Sequence, residues 1–515
     1  MTLIQWILFI GLVQIIHFAG TWKLYQRAGR SAWEAIVPVY NAIVLMKIIN
    51  RPKWWVILLF IPVINLLMFP VIWVELARSF GHNSTKDTWL AILSLGFYNF
   101  YLNYFCEDKY IENRSLKPRS EAGEWISSIV FAIVAATIVH TYFFQPFVIP
   151  TSSLEKSLLV GDYLIVSKLH YGARTPMTAV SFPMVHDTIP LINSRSYAKK
   201  PQLPYFRIPG FENVERNDIV VFNWPVDTVQ QFFKRPDRKI RKPIDKKSNY
   251  VKRAVGVAGD SLSVVDGYVY INGVQTQLPS RAKTQFYYTV NTGGQALSQR
   301  SIVDRYGVKE GFFDSNLGVY KLNMDEENAK ALSNNPKVKS MERDIKPKGE
   351  LEPNGVFPNN SFGWNSDNYG PIYIPRRGDI IELNSENVAL YGRIIREFEK
   401  HDLKRISENN YSVDGSPTKT YQIEQDYYWM MGDNRQRSED SRYWGFVPED
   451  HIVGKPVFIF MSLDKDKSGL DKIRWDRVFT TVSGEGERQS YLVYFLVALA
   501  LYQGFVFYRK RKKKD

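Results

Sequence analysis

Five runs of apolar residues approach the ~20 that a helix needs to cross a bilayer, where the backbone must satisfy its own hydrogen bonds. They cover residues 3–22, 54–76, 89–105, 125–144 and 491–508, several with Trp or Tyr at their ends, where interfacial aromatics belong. Asn99 and Asn103 interrupt the third. A further run, 32–46, is short and contains Glu34, Pro38 and Asn41, which predicts an interfacial or re-entrant segment. The first run has no charged leader and outlasts an ordinary signal-peptide core, so an anchor is expected there.

From about 146 to 482 the pattern changes to short runs of Val, Ile, Tyr and Phe separated by Gly-Asp, Asn-Gly and Pro-containing turns, which predicts β structure. Strands are expected at 163–167, 218–222, 250–257, 262–264, 268–271, 379–383 and 457–461. Residues 267–273 alternate and end in Asn272-Gly273, a hairpin signal. Two helices are expected, at 324–333 and at 386–400 behind an Asn384-Ser385 cap. Both lie in an Asn-, Lys- and Pro-rich stretch, about 281–425, read as an insertion in the β core. Residues 377–383 echo 216–222, over too short a length to establish a repeat.

The expected fold is therefore a multi-span α-helical membrane anchor joined to a mainly β extracytoplasmic catalytic domain with a small α/β insertion. Its expected divisions are 1–123 (about three spans with cytoplasmic loops), 124–144 (an anchor), 145–482 (the β-rich domain), 490–508 (a C-terminal span) and 509–515 (a basic tail).

Charge gives this outline a direction. The net charge is +14, and six of the last seven residues are basic, directly after an apolar run. Such clusters mark the cytoplasmic face and its anionic lipids, so membrane lipid rather than nucleic acid is the expected basic-patch partner. Lys23, Arg27, Arg30, Lys47, Arg51 and Lys53 place the first loop inside. Lys109, Arg114, Lys117 and Arg119 do the same before the fourth run. With five spans the N-terminus is outside, the C-terminus cytoplasmic, and about 145–489 outside. Cys106, the single cysteine, precludes an intramolecular disulfide, and no metal or cofactor motif is present in the sequence.

Three runs carry candidate chemistry. Pro150-Thr151-Ser152-Ser153-Leu154-Glu155-Lys156-Ser157-Leu158 starts just beyond the fourth apolar run, although a solvated turn also explains its serines. In Tyr250-Val251-Lys252-Arg253-Ala254-Val255-Gly256, alternation puts Lys252 opposite Val251, Arg253 and Val255; an edge lysine snorkelling to water is the plainer reading. Met431-Gly432-Asp433-Asn434-Arg435-Gln436-Arg437-Ser438-Glu439-Asp440-Ser441-Arg442-Tyr443-Trp444-Gly445 is dense in polar groups, as an ion-paired surface loop would also be.

In order and wording the three runs resemble the conserved boxes of bacterial type I signal peptidases, serine/lysine dyad proteases, in a larger multi-span form. The resemblance implies that Ser153 is the nucleophile and Lys252 the base, with Ser438 orienting the lysine. It also implies an oxyanion hole from the Ser153 amide and the Thr151 hydroxyl, a supporting ion pair of Asp440 and Arg442, and structural roles for Asp433 and Arg435. No metal or cofactor is implied. The expected substrates are the signal peptides of exported preproteins, cleaved at the outer face of the bacterial cytoplasmic membrane near the export machinery. One departure stands out: Lys156 occupies the place of a family proline, and offers a second lysine near the serine.

Two other functions compete. Ser153-Leu154-Glu155-Lys156 with Ser366-Asp367-Asn368 matches two elements of penicillin-recognising acyl-transferases, but a Lys-Thr-Gly element is absent and the run leads into strand-like sequence. The other is a membrane-tethered binding protein that has lost activity. A Ser-His-Asp hydrolase finds no G-x-S-x-G motif, and His170, His186, His401 and His451 have no partner motif.

Overall fold

A computed structural model describes residues 3–118, 120–229 and 240–512. Arg119 of the expected cytoplasmic loop and residues 513–515 of the basic tail lie outside the described residues. The chain forms two compact units, one of Met1–Phe143, Arg174–Ile208 and Thr228–Lys246, the other of Phe144–Ala173, Pro209–Asp227 and Lys247–Asp515. Two segments of the expected outer domain thus cluster with the N-terminal unit. Within that unit they are tied to each other by Thr178 to Asp245 at 2.7 Å and Lys246 to Ser181 at 2.8 Å.

The first unit is helical along its N-terminal part: α1 (Leu3–Arg27), α2 (Tyr40–Ile48), α3 (Ile64–Ser79), α4 (Thr85–Leu93), α5 (Tyr98–Phe105) and α6 (Glu121–Ile138). Among the described residues of this unit, only α1 and α6, the latter continued by a turn to Phe143, are long and apolar enough to cross a membrane. The second and third apolar runs are not single helices. Val63, at φ 69°, separates Trp55–Leu58 from α3, and Leu95 and Gly96, at φ 52° and 86°, separate α4 from α5. The asparagines of the third run bear on this. Asn103 is fully buried and accepts from the Lys23 and Leu24 backbone N–H groups of α1 at 2.9 and 3.2 Å. Run 32–46 forms one short turn, Ala32–Ala35, and part of α2. Buried Glu75 gathers Arg51, Arg114 and Arg78 at 2.9, 2.6 and 3.4 Å.

The second unit is mostly β. In chain order its main strands are β1 (Phe144–Val148), β2 (Asp162–Ser167), β3 (Ile219–Asn223), β4 (Asn249–Gly256), β5 (Ser261–Val265), β6 (Tyr268–Ile271) and β7 (Gln285–Asn291). There follow β8 (Glu310–Asp314), β9 (Val319–Asp325), β10 (Ser340–Arg343), β11 (Tyr369–Tyr373), β12 (Tyr427–Met431) and β13 (Ile452–Ser462). The largest sheet runs β1-β2-β13-β3-β4-β12, each pair antiparallel. The hairpin signal at Asn272-Gly273 is met, joining β6 to Val274–Gln275, and a second turn, Asp266-Gly267, joins β5 to β6; all four residues have positive φ, as a two-residue primed turn requires.

Two helices sit where capping chemistry places them. Helix α7 (Glu326–Ser333) is capped by Asp325, and α8 (Ser385–Arg393) by Asn384, which accepts from the Asn387 N–H. The stretch read as inserted packs against the β core. Strand β11 pairs with β5, while Ile381, Leu390 and Tyr421 share a buried cluster with Val255, Leu262 and Trp429. Sheet β8-β9-β7-β10 reaches the loop after β12 through Gln285, which bridges to Asn434. A last helix, α9 (Leu492–Arg511), is apolar, exposed all round, and long enough to cross a membrane.

Candidate active site

Strand β1 delivers the chain into a three-residue 3-10 turn, Ser152–Leu154, with Thr151 extended before it. Leu154 and Leu158 drop into a core with Ile149, Leu164, Ile219 and Val221, each fully buried leucine contributing about 2 kcal/mol. This anchors the turn and leaves Ser153, itself buried, on its polar side. The 432–438 loop closes over it: the Asn434 N–H donates to the Ser153 carbonyl at 3.1 Å and its side chain to the Ser152 carbonyl at 3.2 Å. Gly432 has to be glycine for this approach, since a Cβ there would lie 2.5 Å from the Ser153 oxygen and 2.3 Å from Ser438 Oγ.

Strand β4 supplies the lysine. Lys252 is paired with Val220 of β3 and shares a face with Tyr250 and Ala254, whose side chains belong to an apolar cluster with Phe222 and Met430. Its Nζ donates to Ser153 Oγ at 2.7 Å. Burial pushes the Lys252 ammonium down to about 8; Asp440 and Glu439 oppose the shift, and Arg442 adds to it. The other serines of the run are engaged elsewhere, Ser152 with Glu310 at 2.8 Å and Ser157 with Asp433 at 2.5 Å.

The rest of the loop is held by two buried ion pairs. Asp440 and Arg442, both fully buried, form a two-pronged pair at 2.8 Å, and Asp440 also accepts from the Gly432 N–H at 3.1 Å. Burial would push the Asp440 carboxyl up, but Arg442 holds it below its usual value. Asp433 pairs with Arg253 at 2.8 and 2.6 Å, so alternation along β4 sends Lys252 to one face and Arg253 to the other. Arg435 instead donates to the Gly267 carbonyl at 2.6 Å. Sequence reading missed Arg253 as the partner of Asp433, together with Glu310 and Asn434; their contacts are too distant along the chain for any local signal.

One implied contact, from Ser438 to Lys252, is not made among the described residues. Ser438 Oγ is buried beside Gly432. Thr151 makes no capping bond and is exposed, while the Ser153 N–H lies in the first turn of a 3-10 segment, where N–H groups lack partners within the turn.

Lys156 has φ 71°, and its ammonium donates to the Gly307 carbonyl at 2.7 Å. It is not bonded to Ser153. Its backbone is closed to proline, whose ring fixes φ near −65°. Lys156→Pro, although it restores the family residue, is therefore expected to destabilise the protein by about 1–3 kcal/mol, read as a lowered thermal midpoint. The same geometry counts against the penicillin-recognising alternative, which needs S-x-x-K to open a helix. Ser366-Asp367-Asn368 meanwhile serves a structural turn, with the Ser366 carbonyl accepting from Arg442 at 3.1 Å. Among the described residues no histidine bonds Ser153: His170 is on Ser167, and His401 is on Asp414 and Glu424. Cavities of about 530 and 180 Å³ are lined by neither Ser153 nor Lys252.

Two family descriptions match this sequence. "Signal peptidase, peptidase S26" matches residues 122–313 and 374–461, more than half of the chain, and a family of unknown function (DUF5684) matches 33–113. Among curated proteins, the chain is 26% identical to signal peptidase I of Haemophilus influenzae, over 72% of this chain and 79% of the relative. It is 24% identical to signal peptidase I of Buchnera aphidicola (72% and 90% covered) and 24% identical to that of Rickettsia massiliae (69% and 91% covered).

Proposed function

The chain belongs to the signal peptidase S26 family, and on that premise we infer that it is a serine endopeptidase that removes signal peptides from exported precursors, with Ser153 as nucleophile and Lys252 as general base. The observation that carries the residue assignment is the 2.7 Å contact from Lys252 Nζ to Ser153 Oγ, in a setting that lowers the lysine to about 8.

Lysine serves as a base only when neutral, and moving it from 10.5 to about 8 takes roughly 3 kcal/mol of bias against the ammonium. Desolvation beside Val220, Tyr250 and Ala254 supports that bias. Ser153 Oγ attacks the scissile carbonyl as its proton passes to Lys252. The Ser153 N–H and Thr151 hydroxyl stabilise the oxyanion. Lys252 then gives its proton to the departing amine, which leaves an ester on Ser153. Neutral again, Lys252 takes a proton from water, the hydroxide attacks the ester, and the returning proton restores Ser153 and frees the acid product. Asp440, Arg442, Asp433 and Ser438 position the loop around this pair.

The helices long enough to cross a bilayer, with the basic residues around them, support a multi-pass topology in the bacterial cytoplasmic membrane. If α1, α6 and α9 are the spans and the broken helices between α1 and α6 cross an even number of times or not at all, the orientation is the one expected from five spans. The N-terminus and the peptidase domain are outside; the loops bearing Lys23 to Lys53 and Lys109 to Lys117, and the C-terminus, are cytoplasmic. Ser153 follows α6 by ten residues after Phe143, which suits a substrate whose apolar segment lies in the bilayer near the export machinery.

Because the base acts unprotonated, kcat/KM on a precursor is expected to fall about tenfold per unit as pH drops below about 8, and to level off above it. The Glu439 carboxylate favours the ammonium, so Glu439→Gln should move this acid limb to lower pH. A profile flat from pH 6 to 8 would remove Lys252 as the base.

A further inference from the structure

The N-terminal unit contains a cluster that the peptidase chemistry does not use. Helix α3 ends at Ser79, and the chain turns through Gly81, at φ 91°, to His82. Cys106, extended, ends α5, and Asp108 follows two residues later. The two segments are held together by the Ile111 N–H on the Ser79 carbonyl at 2.9 Å. One ligand atom from each of His82, Cys106 and Asp108 lies within 4.8 Å of the others.

The surroundings of His82 support a role for this cluster as a ligand set. The Tyr98 hydroxyl donates to Asp87 at 2.7 Å, which spends its one proton, and its oxygen lies 3.2 Å from His82 Nδ1. In the tautomer that carries its proton on Nδ1, facing Tyr98 and Asp87 Oδ1 at 3.5 Å, Nε2 is a free lone pair that can ligate an ion. Nε2 faces Asp108 Oδ2 at 2.8 Å. An Nε2 proton satisfies that contact, and so would a metal ion taking its place between the two atoms. A tyrosine and carboxylate holding the far nitrogen is also the outer support that metal-bound histidines have.

We propose that His82 Nε2, Cys106 Sγ and Asp108 form a zinc site with its fourth position open to solvent. The donor set of imidazole, thiolate and carboxylate suits zinc. A tetrahedral ion with bonds of about 2.0–2.3 Å places its ligands about 3.3–3.7 Å apart, so the His82–Asp108 pair opens by about half an ångström while the thiol closes in. The ion would clamp the turn after α3 to the segment after α5, on the side that the topology above makes cytoplasmic, where the thiol stays reduced. Sequence spacing hides the site, because His82 is distant from Cys106 along the chain and no repeated ligand motif brings them together.

Cys106 is the only thiol in the chain, so it reports on its own occupancy. In purified full-length protein stripped with a chelator, zinc is expected to slow alkylation of Cys106 by at least about tenfold, with chelator restoring the rate. Cobalt should give a thiolate-to-metal charge-transfer band. His82→Gln and Asp108→Asn should each lose the protection while still cleaving precursor, which shows that they fold. An alkylation rate indifferent to zinc in the unmodified chain would overturn the site and leave His82 as a hydrogen-bonding partner of Asp108. Protection undiminished in both variants would overturn it equally.

Discussion

Lys252→Met is expected to abolish precursor cleavage and to make the protein more stable. Methionine fills the same slot beside Tyr250 and Ala254 but cannot accept a proton, so kcat should fall by at least about 10³-fold. The stability gain follows from the lysine's own titration. Its folded value of about 8 lies below the 10.5 of a free lysine, so the unfolded chain holds the proton more tightly. The resulting cost to folding is fully present below pH 8 and fades as pH rises toward 10.5. At pH 7 it amounts to about 3 kcal/mol, set against about 1 kcal/mol for the lost Ser153 hydrogen bond, leaving a net gain of about 2 kcal/mol. The thermal midpoint of the purified full chain should rise at pH 7, and the advantage should shrink near pH 10. A variant less stable than the parent at pH 7 would show that the ammonium is better accommodated than its apolar surroundings imply.

Asp440→Ala is expected to act in the opposite direction. It leaves the Arg442 guanidinium fully buried without its carboxylate and takes the acceptor from the Gly432 N–H. Breaking a buried pair by removing one partner costs about 3–5 kcal/mol. Gly432 packs directly on the Ser153 carbonyl, so activity should fall with stability. Asp440→Asn keeps the shape and removes the charge; its effect on the melting midpoint should be intermediate, and its acid limb should lie below that of the parent because a carboxylate that favours Lys252 protonation is gone. An unchanged midpoint in the alanine variant would mean that the pair does not hold the loop.

Elements set by local rules could be read in the sequence. Period-two alternation placed Lys252 and Arg253 on opposite faces of β4, Asn272-Gly273 gave the turn after β6, and Asn384 capped α8 where expected. What escaped was set by contacts distant along the chain. Asp433 turns away from Arg435, two residues on, to Arg253 because the loop folds back over β4. Apolar runs read as single spans break at Val63 and Leu95, and a buried Asn103 bonds the backbone of α1, a use that hydropathy does not register. The 281–425 stretch read as an insertion because its composition differs, yet β11 completes a sheet with β5. Lys156 could be seen as a departure from the family, but its positive φ and its bond to Gly307 emerge only in three dimensions.

The central claim is that Ser153 alone among its neighbours meets the base. Purified full-length chain and its Ser152→Ala, Ser153→Ala and Ser157→Ala variants should be compared for cleavage of a precursor at pH 8.5. Ser152 bonds Glu310 and Ser157 bonds Asp433, so both of those variants should retain measurable cleavage, with Ser157→Ala the less stable. Ser153→Ala should show none above background. Cleavage that survives Ser153→Ala and disappears with Ser157→Ala would contradict the assignment.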